Sequence, residues 1–212
     1  MSYERFLRAM ALFMIMRAAT PAYFFVFWQW FATWRTHRLP ALLMMVGTFA
    51  GIGGATVTLR HMLLTARLAP PIPIRVIGWV LIVIAVIIGA NADRQIGSQL
   101  RYFKPFFDPY GRIELKTNGA YAVVRHPIYA SWILFQVGTF AVTGYVAVLI
   151  ASAVLALGAT WFTRQEEKRI VELLEDPTAY DRYRRRVPAL FPRLWPRPWR
   201  GEDGLSRPHH AR

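Results

Sequence analysis

Cysteine is absent from the 212 residues. That excludes disulfides, thiolate zinc sites, lipid attachment through cysteine and a cysteine nucleophile. Charge is scarce as well: Asp, Glu, Lys and Arg make up 18% of the chain against 55% hydrophobic residues, which is little for a soluble domain. The scarcity is uneven. Residues 39–59, 76–92 and 126–163 contain none of the four charged types. A bilayer core of about 30 Å is crossed by roughly 20 helical residues, so the first stretch is one span, the second nearly one, and the third two. The pattern predicts an all-α integral membrane protein with about five transmembrane helices. Residues 9–34 are apolar too, but they run past the length of a secretory signal, carry Arg17 and Pro21, and end in Trp28, Trp30 and Trp34. Aromatic residues at that end suit an interfacial belt, so a retained helix is expected.

Acidic residues are the scarcer sign, 12 against 26 Lys and Arg, for a net charge of +14. Basic surfaces bind phosphate, but no nucleic-acid module accompanies this charge. Basic residues are also what cytoplasmic loops and anionic headgroups retain. Twelve of the bases lie in residues 164–212, along with eight of the acids. The expected partner is therefore a lipid bilayer, with no nucleic acid.

Three regions follow: N-terminal spans over 1–92, a core over 93–200, and a disordered tail over 201–212. The opening helix is expected near 6–34 and a second over 40–59, whose Gly47, Gly51, Gly53 and Gly54 suggest a close packing face. Pro70, Pro71 and Pro73 interrupt the chain before a third helix near 74–92. Residues 93–125 are polar and amphipathic, with Tyr102, Phe103, Phe106, Phe107 and Tyr110 clustered. Residues 127–142 and 146–163 read as a helical hairpin turned at Thr143-Gly144-Tyr145. The tail, 164–200, is a charged amphipathic helix broken at Pro177. With the tail and 93–125 cytoplasmic, five spans put the N-terminus outside, although Arg60, Arg67 and Arg75 then face outward against the usual bias.

The chemistry-bearing residues sit at the hairpin's ends. Asn118-Gly119 is a turn signal, and Pro127 suits the first turn of a helix. Arg125 and His126 therefore stand at a helix start, where unpaired N–H groups and the helix dipole favour a carboxylate or phosphate. The hairpin returns Glu166 and Glu167, within Arg164-Gln-Glu-Glu-Lys-Arg169, toward Arg125 and His126. The cluster reads either as a polar pocket or as snorkelling interface residues with an ordinary helix-end charge network. A third run, from Tyr180 to Pro188, is a basic helix suited to a membrane surface.

Four pieces in order, Gly119-Ala-Tyr121, Arg125-His-Pro-Ile-Tyr129, Glu166-Glu167 and Tyr180-Asp-Arg-Tyr183 leading to Val187-Pro188, resemble the isoprenylcysteine carboxyl methyltransferases and the related bacterial phospholipid methyltransferases. The likeness covers residues 112–192. It implies an S-adenosylmethionine-dependent membrane methyltransferase in a bacterial inner membrane, its site facing the cytoplasm, without a metal. It also implies an amphiphilic or lipid acceptor bearing a carboxylate, amine or thiol. Carried onto this chain, cofactor contacts fall on Leu115, Lys116, Tyr121, His126, Pro127, Ile128 and Tyr129. The acceptor side falls on Arg164 and Glu167, with Glu166 and Arg125 completing the catalytic set. The chain departs from the pattern at Glu175-Asp-Pro177, which leaves the choice between Glu166 and Glu167 open. An NADPH-dependent sterol-type reductase and a non-enzymatic membrane scaffold are the competing readings.

Overall fold

The computed structural model describes residues 2–21, 37–101 and 114–192. Trp28, Trp30 and Trp34, the 102–110 aromatic cluster and the 201–212 tail lie outside them. Within these residues the fold is helical, with one isolated β-bridge between Arg67 and Tyr145. In chain order the helices are α1 (Tyr3–Arg17), α2 (Arg38–Thr58), α3 (Arg60–Leu63), α4 (Ile72–Arg101), α5 (Ala120–Val123), α6 (Pro127–Thr143), α7 (Val146–Leu173) and α8 (Pro177–Arg186).

Two helices are long and apolar enough to cross a membrane, Ile72–Gly97 of α4 and Val146–Leu173 of α7; Leu42–Thr58 and Pro127–Thr143 are apolar but shorter. In α4 the side chains of Val76, Ile77, Val80, Val83, Val86 and Ile87 are exposed. So continuous an apolar face is suited to lipid rather than to water. The helix breaks at Gly97, whose φ of 70° is open to glycine at little cost.

The hairpin α6–α7 turns as expected. Gly144 takes a left-handed φ of 73° and closes α6 by donating its N–H to Phe140 O at 2.8 Å. Glycine contact is made elsewhere than expected. Among the described residues, Gly47, Gly51 and Gly54 have nothing near the place a Cβ would take, and Gly53 meets Met16. The close approach is between α4 and α6: a methyl group on Gly78 would come 2.8 Å from Gly138 O, and one on Gly138 would come 2.8 Å from Gly78 O. Small residues there let two backbones touch. The charged stretch after residue 163 is not a separate helix, because α7 runs unbroken through Glu166 and Glu167 to Leu173.

At the turn end of the hairpin, Arg67 donates to Glu4 at 2.6 Å and to Thr143 O at 2.9 Å, and stacks 4.9 Å over the Tyr145 ring. Arg60 donates to Val57 O and Arg75 to Pro70 O, both at 2.9 Å. The three arginines that strain the positive-inside pattern are thus held by local partners. Helix α1 runs from this end toward the other: Gln136 Nε2 donates to Met14 O, Arg17 lies over Trp132, and Pro21 fills the space beside Gly158.

Candidate functional site

The site is assembled where α6 begins. Residue 126 precedes a proline, which disfavours the helical region, and His126 has φ −124° and ψ 64°. The backbone leading into it is therefore free to pair with the tail: Arg125 N–H donates to Pro188 O at 2.8 Å and His126 N–H to Ala189 O at 3.0 Å. The tail helix α8 is started by Asp176, whose carboxylate accepts from Thr178 N–H at 2.9 Å, with Pro177 in the first turn. Tyr180 and Tyr183, one turn apart, are buried with Val187 against Leu115, Ile170, Val171 and Leu174. The Tyr183 hydroxyl donates to Tyr121 O at 2.7 Å. The tail thus lies over the hairpin's open end.

Beneath it, one oxygen of Glu167 collects three contacts. Arg125 Nε stands at 2.9 Å, a terminal Arg125 nitrogen at 2.8 Å, and His126 Nε2 at 3.0 Å. Arg125 turns its other terminal nitrogen to the carbonyls of Arg184 and Val187. Arg125 and Glu167 side chains are only 11% and 12% exposed, so the pair is largely shielded from water. His126 Nδ1 lies 3.5 Å from Glu166 Oε2, an ion-pair separation without hydrogen-bond geometry. That oxygen is sealed from solvent and has no hydrogen-bond partner. Tyr180 OH and Gln95 Oε1 are in the same condition. Burial disfavours the charged imidazole of His126, but the Glu166 and Glu167 carboxylates outweigh it, and its pKa is raised. Burial, reinforced by the charge of Glu166, holds the Tyr121 hydroxyl well above the ordinary range, so it stays neutral.

Arg125, His126, Glu166 and Glu167 are therefore brought together. Tyr129 packs edge-on against Phe162 and Trp132, with its ring 6.0 Å from that of His126. Pro127 is buried at the helix start and Ile128 half-buried beside it. Leu115 lies under the tail, while Lys116 is engaged by the exposed Glu114 at 2.7 Å. Arg164 is apart: it is exposed, with no hydrogen bond or ion pair to the described residues. Sequence reasoning missed Gln95, which carries no motif and packs against the Gly119 turn because Gly119, at φ 55°, leaves no Cβ in its way. It also passed over Arg17, read only as a charge within an apolar stretch. Among the described residues no group of three or more His, Asp or Glu could hold a metal ion.

Residues 74–175 match the family model of the phospholipid methyltransferases. A methanethiol S-methyltransferase of Crocosphaera subtropica is 26% identical over 173 residues, covering 79% of this chain and 55% of that protein. A protein-S-isoprenylcysteine O-methyltransferase of Schizosaccharomyces pombe is 35% identical over 79 residues, covering 37% of this chain and 33% of that protein. The chain spans about half or less of the length of these relatives. No solved structure matches. The matched stretch contains the α6–α7 hairpin, Arg125, His126, Glu166 and Glu167.

Proposed function

We propose that this chain, whose residues 74–175 match the family model of the phospholipid methyltransferases, is a membrane methyltransferase that takes its methyl group from S-adenosylmethionine and passes it to an amphiphilic acceptor. The observation that carries the reading is the buried Arg125–His126–Glu166–Glu167 cluster inside the matched stretch, roofed by the tail. Both relatives named above are methyltransferases, one acting on a thiol and one on isoprenylcysteine. Five spans, a cytoplasmic tail and a bacterial inner membrane belong to the same proposal.

The residues suit the cofactor. Its ammonium and ribose hydroxyls need buried acceptors, and Glu166 Oε2 and Gln95 Oε1 are buried acceptors with no partner. Tyr180 OH adds an unpaired donor beside them. His126 through Tyr129, with Leu115, Lys116 and Tyr121, would hold the rest. Bound there, the cofactor supplies a methyl group open to direct displacement.

The chain's own part is orientation and exclusion of water. Arg125 and His126 are committed to Glu167, and Arg125 also fastens the tail, so these three act as a preformed frame. Glu166, held only at 3.5 Å by His126, is the carboxylate less committed to the frame and the one to meet a bound molecule or take a proton from an amine or thiol acceptor. Arg164, exposed and with no partner among the described residues, is the group assigned to orient the acceptor's head at the rim.

Titration calorimetry of the purified chain with S-adenosylmethionine and with NADPH tests the reading. Binding of adenosylmethionine without added metal, and none of NADPH, is expected. The reverse result would move the chain to the reductase reading.

A further inference from the structure

Arg17, at the end of an apolar helix packed on the hairpin, is a charge that nothing in the catalytic frame uses. It ends α1, half-buried, and its guanidinium stands 4.7 Å over the Trp132 ring. Trp132 lies five residues beyond Pro127, which at a helical rise of about 1.5 Å per residue sets it roughly 7–8 Å below the start of α6. Arginine keeps its charge at any working pH and carries five N–H donors. Among the described residues no carboxylate pairs with Arg17, which is half-buried. Trp132 covers one face of the guanidinium. An ionisable residue at this depth normally faces a partner or a ligand.

The surroundings lead toward the reacting end. Trp132 stacks edge-on with Tyr129 at 5.3 Å, and Tyr129 with Phe162 at 5.8 Å, while the His126 ring lies 6.0 Å from Tyr129. An aromatic wall therefore runs from Arg17 to the Glu166–Glu167 cluster. The Pro21 ring, set against Gly158, holds the end of α1 close to α7. We infer that Arg17 binds an anionic group, a carboxylate or phosphate, on the acceptor itself, so that the acceptor's apolar chain lies in the bilayer and its reacting atom follows the aromatic wall to His126. This rests on the methyltransferase reading and narrows its acceptor to anionic amphiphiles.

The test uses the full chain in nanodiscs of neutral lipid, with a brominated fatty acid and the matching brominated fatty alcohol as probes. Bromine quenches nearby indoles, and the Trp132 part of the emission is the difference from a Trp132→Phe variant. The acid is expected to quench Trp132 at lower concentration than the alcohol. Arg17→Gln should raise the half-quenching concentration of the acid about tenfold or more, the loss of one charge-assisted contact, and leave the alcohol unchanged. Arg17→Lys should fall between, and serves alone if Arg17→Gln does not fold. In turnover, Arg17→Gln should raise KM for an anionic amphiphilic acceptor by a similar factor, with KM for its neutral ester and adenosylmethionine affinity unchanged. Equal quenching by acid and alcohol, or an Arg17→Gln effect on both, overturns the anion site. Phosphatidylglycerol that displaces the acid without altering KM makes it a structural lipid site and overturns the assignment to the acceptor. Quenching needs no chemistry, so absence of methyl transfer to every acceptor counts against the methyltransferase reading while the anion site is still decided by the probes.

Discussion

Glu166 and Glu167 are neighbours in sequence with opposite circumstances. Glu167 is committed to Arg125 and His126, whereas Glu166 keeps a buried oxygen in reserve. Truncating Arg125 leaves the part-buried Glu167 carboxylate short of its cation and frees the tail carbonyls it holds, a loss on the order of 1–3 kcal/mol. Arg125→Ala should therefore lower the thermal midpoint in detergent sharply and loosen the tail to protease. Glu166→Gln should lower the midpoint less than Arg125→Ala, since His126 keeps Glu167, yet cut turnover by about 100-fold, the usual scale for a positioned acid–base group; a melt beside a methyl-transfer rate separates the two. His126 adds a pH dependence. Its folded pKa is raised above the ordinary value of about 6.5, so its contribution is complete below that pH and is lost as pH rises through the folded value. Midpoints measured upward from pH 6 should fall for the native chain, and the fall should be missing in His126→Gln.

At the scale of the helices, glycine placement decides which contacts are tight. A side chain at Gly138 would press on the Gly78 carbonyl and Ile82, so Gly138→Ala should cost about 1–3 kcal/mol by overpacking. Gly51→Ala meets nothing and should be neutral or stabilise by up to about 1 kcal/mol. Thermal melts of the two variants check this, and equal losses would contradict the α4–α6 contact. The hairpin, its turn at Gly144 and the meeting of Arg125 and His126 with Glu166 and Glu167 were legible from sequence. They follow from a charge-free run of known length and from a glycine able to take positive φ. The close contact of α4 with α6 through Gly78 and Gly138 was not anticipated, because composition alone does not say which face of a helix meets a neighbour. The continuation of α7 through its charged end was hidden for a related reason. A change from apolar to polar residues marks the end of a span, not of a helix.

On the scale of the whole chain, the charges sort to two ends of the bundle. At one, Arg67, Glu4, Thr143 and Tyr145 form a local clasp. At the other, Arg125 and the carboxylates lie beneath a tail whose last turn carries Arg184, Arg185 and Arg186. That second end is the one expected to face the cytoplasm, and a topology reporter fused after Arg200 should read as internal; an external reading would deny the site a cytosolic cofactor. Gln95 and Arg17 show why the site itself was only partly legible. Each lies far along the chain from the Arg125-His126 motif and reaches its neighbourhood only through helix packing, which no local pattern signals. Methyl transfer is tested by following a labelled methyl group from S-adenosylmethionine into lipid extract in the presence of the purified chain in nanodiscs. Label entering an amphiphilic product with the native chain, and about 100-fold less with Glu166→Gln, is the result predicted from a positioned carboxylate. No label transferred to any extract, or equal transfer by both proteins, would contradict it.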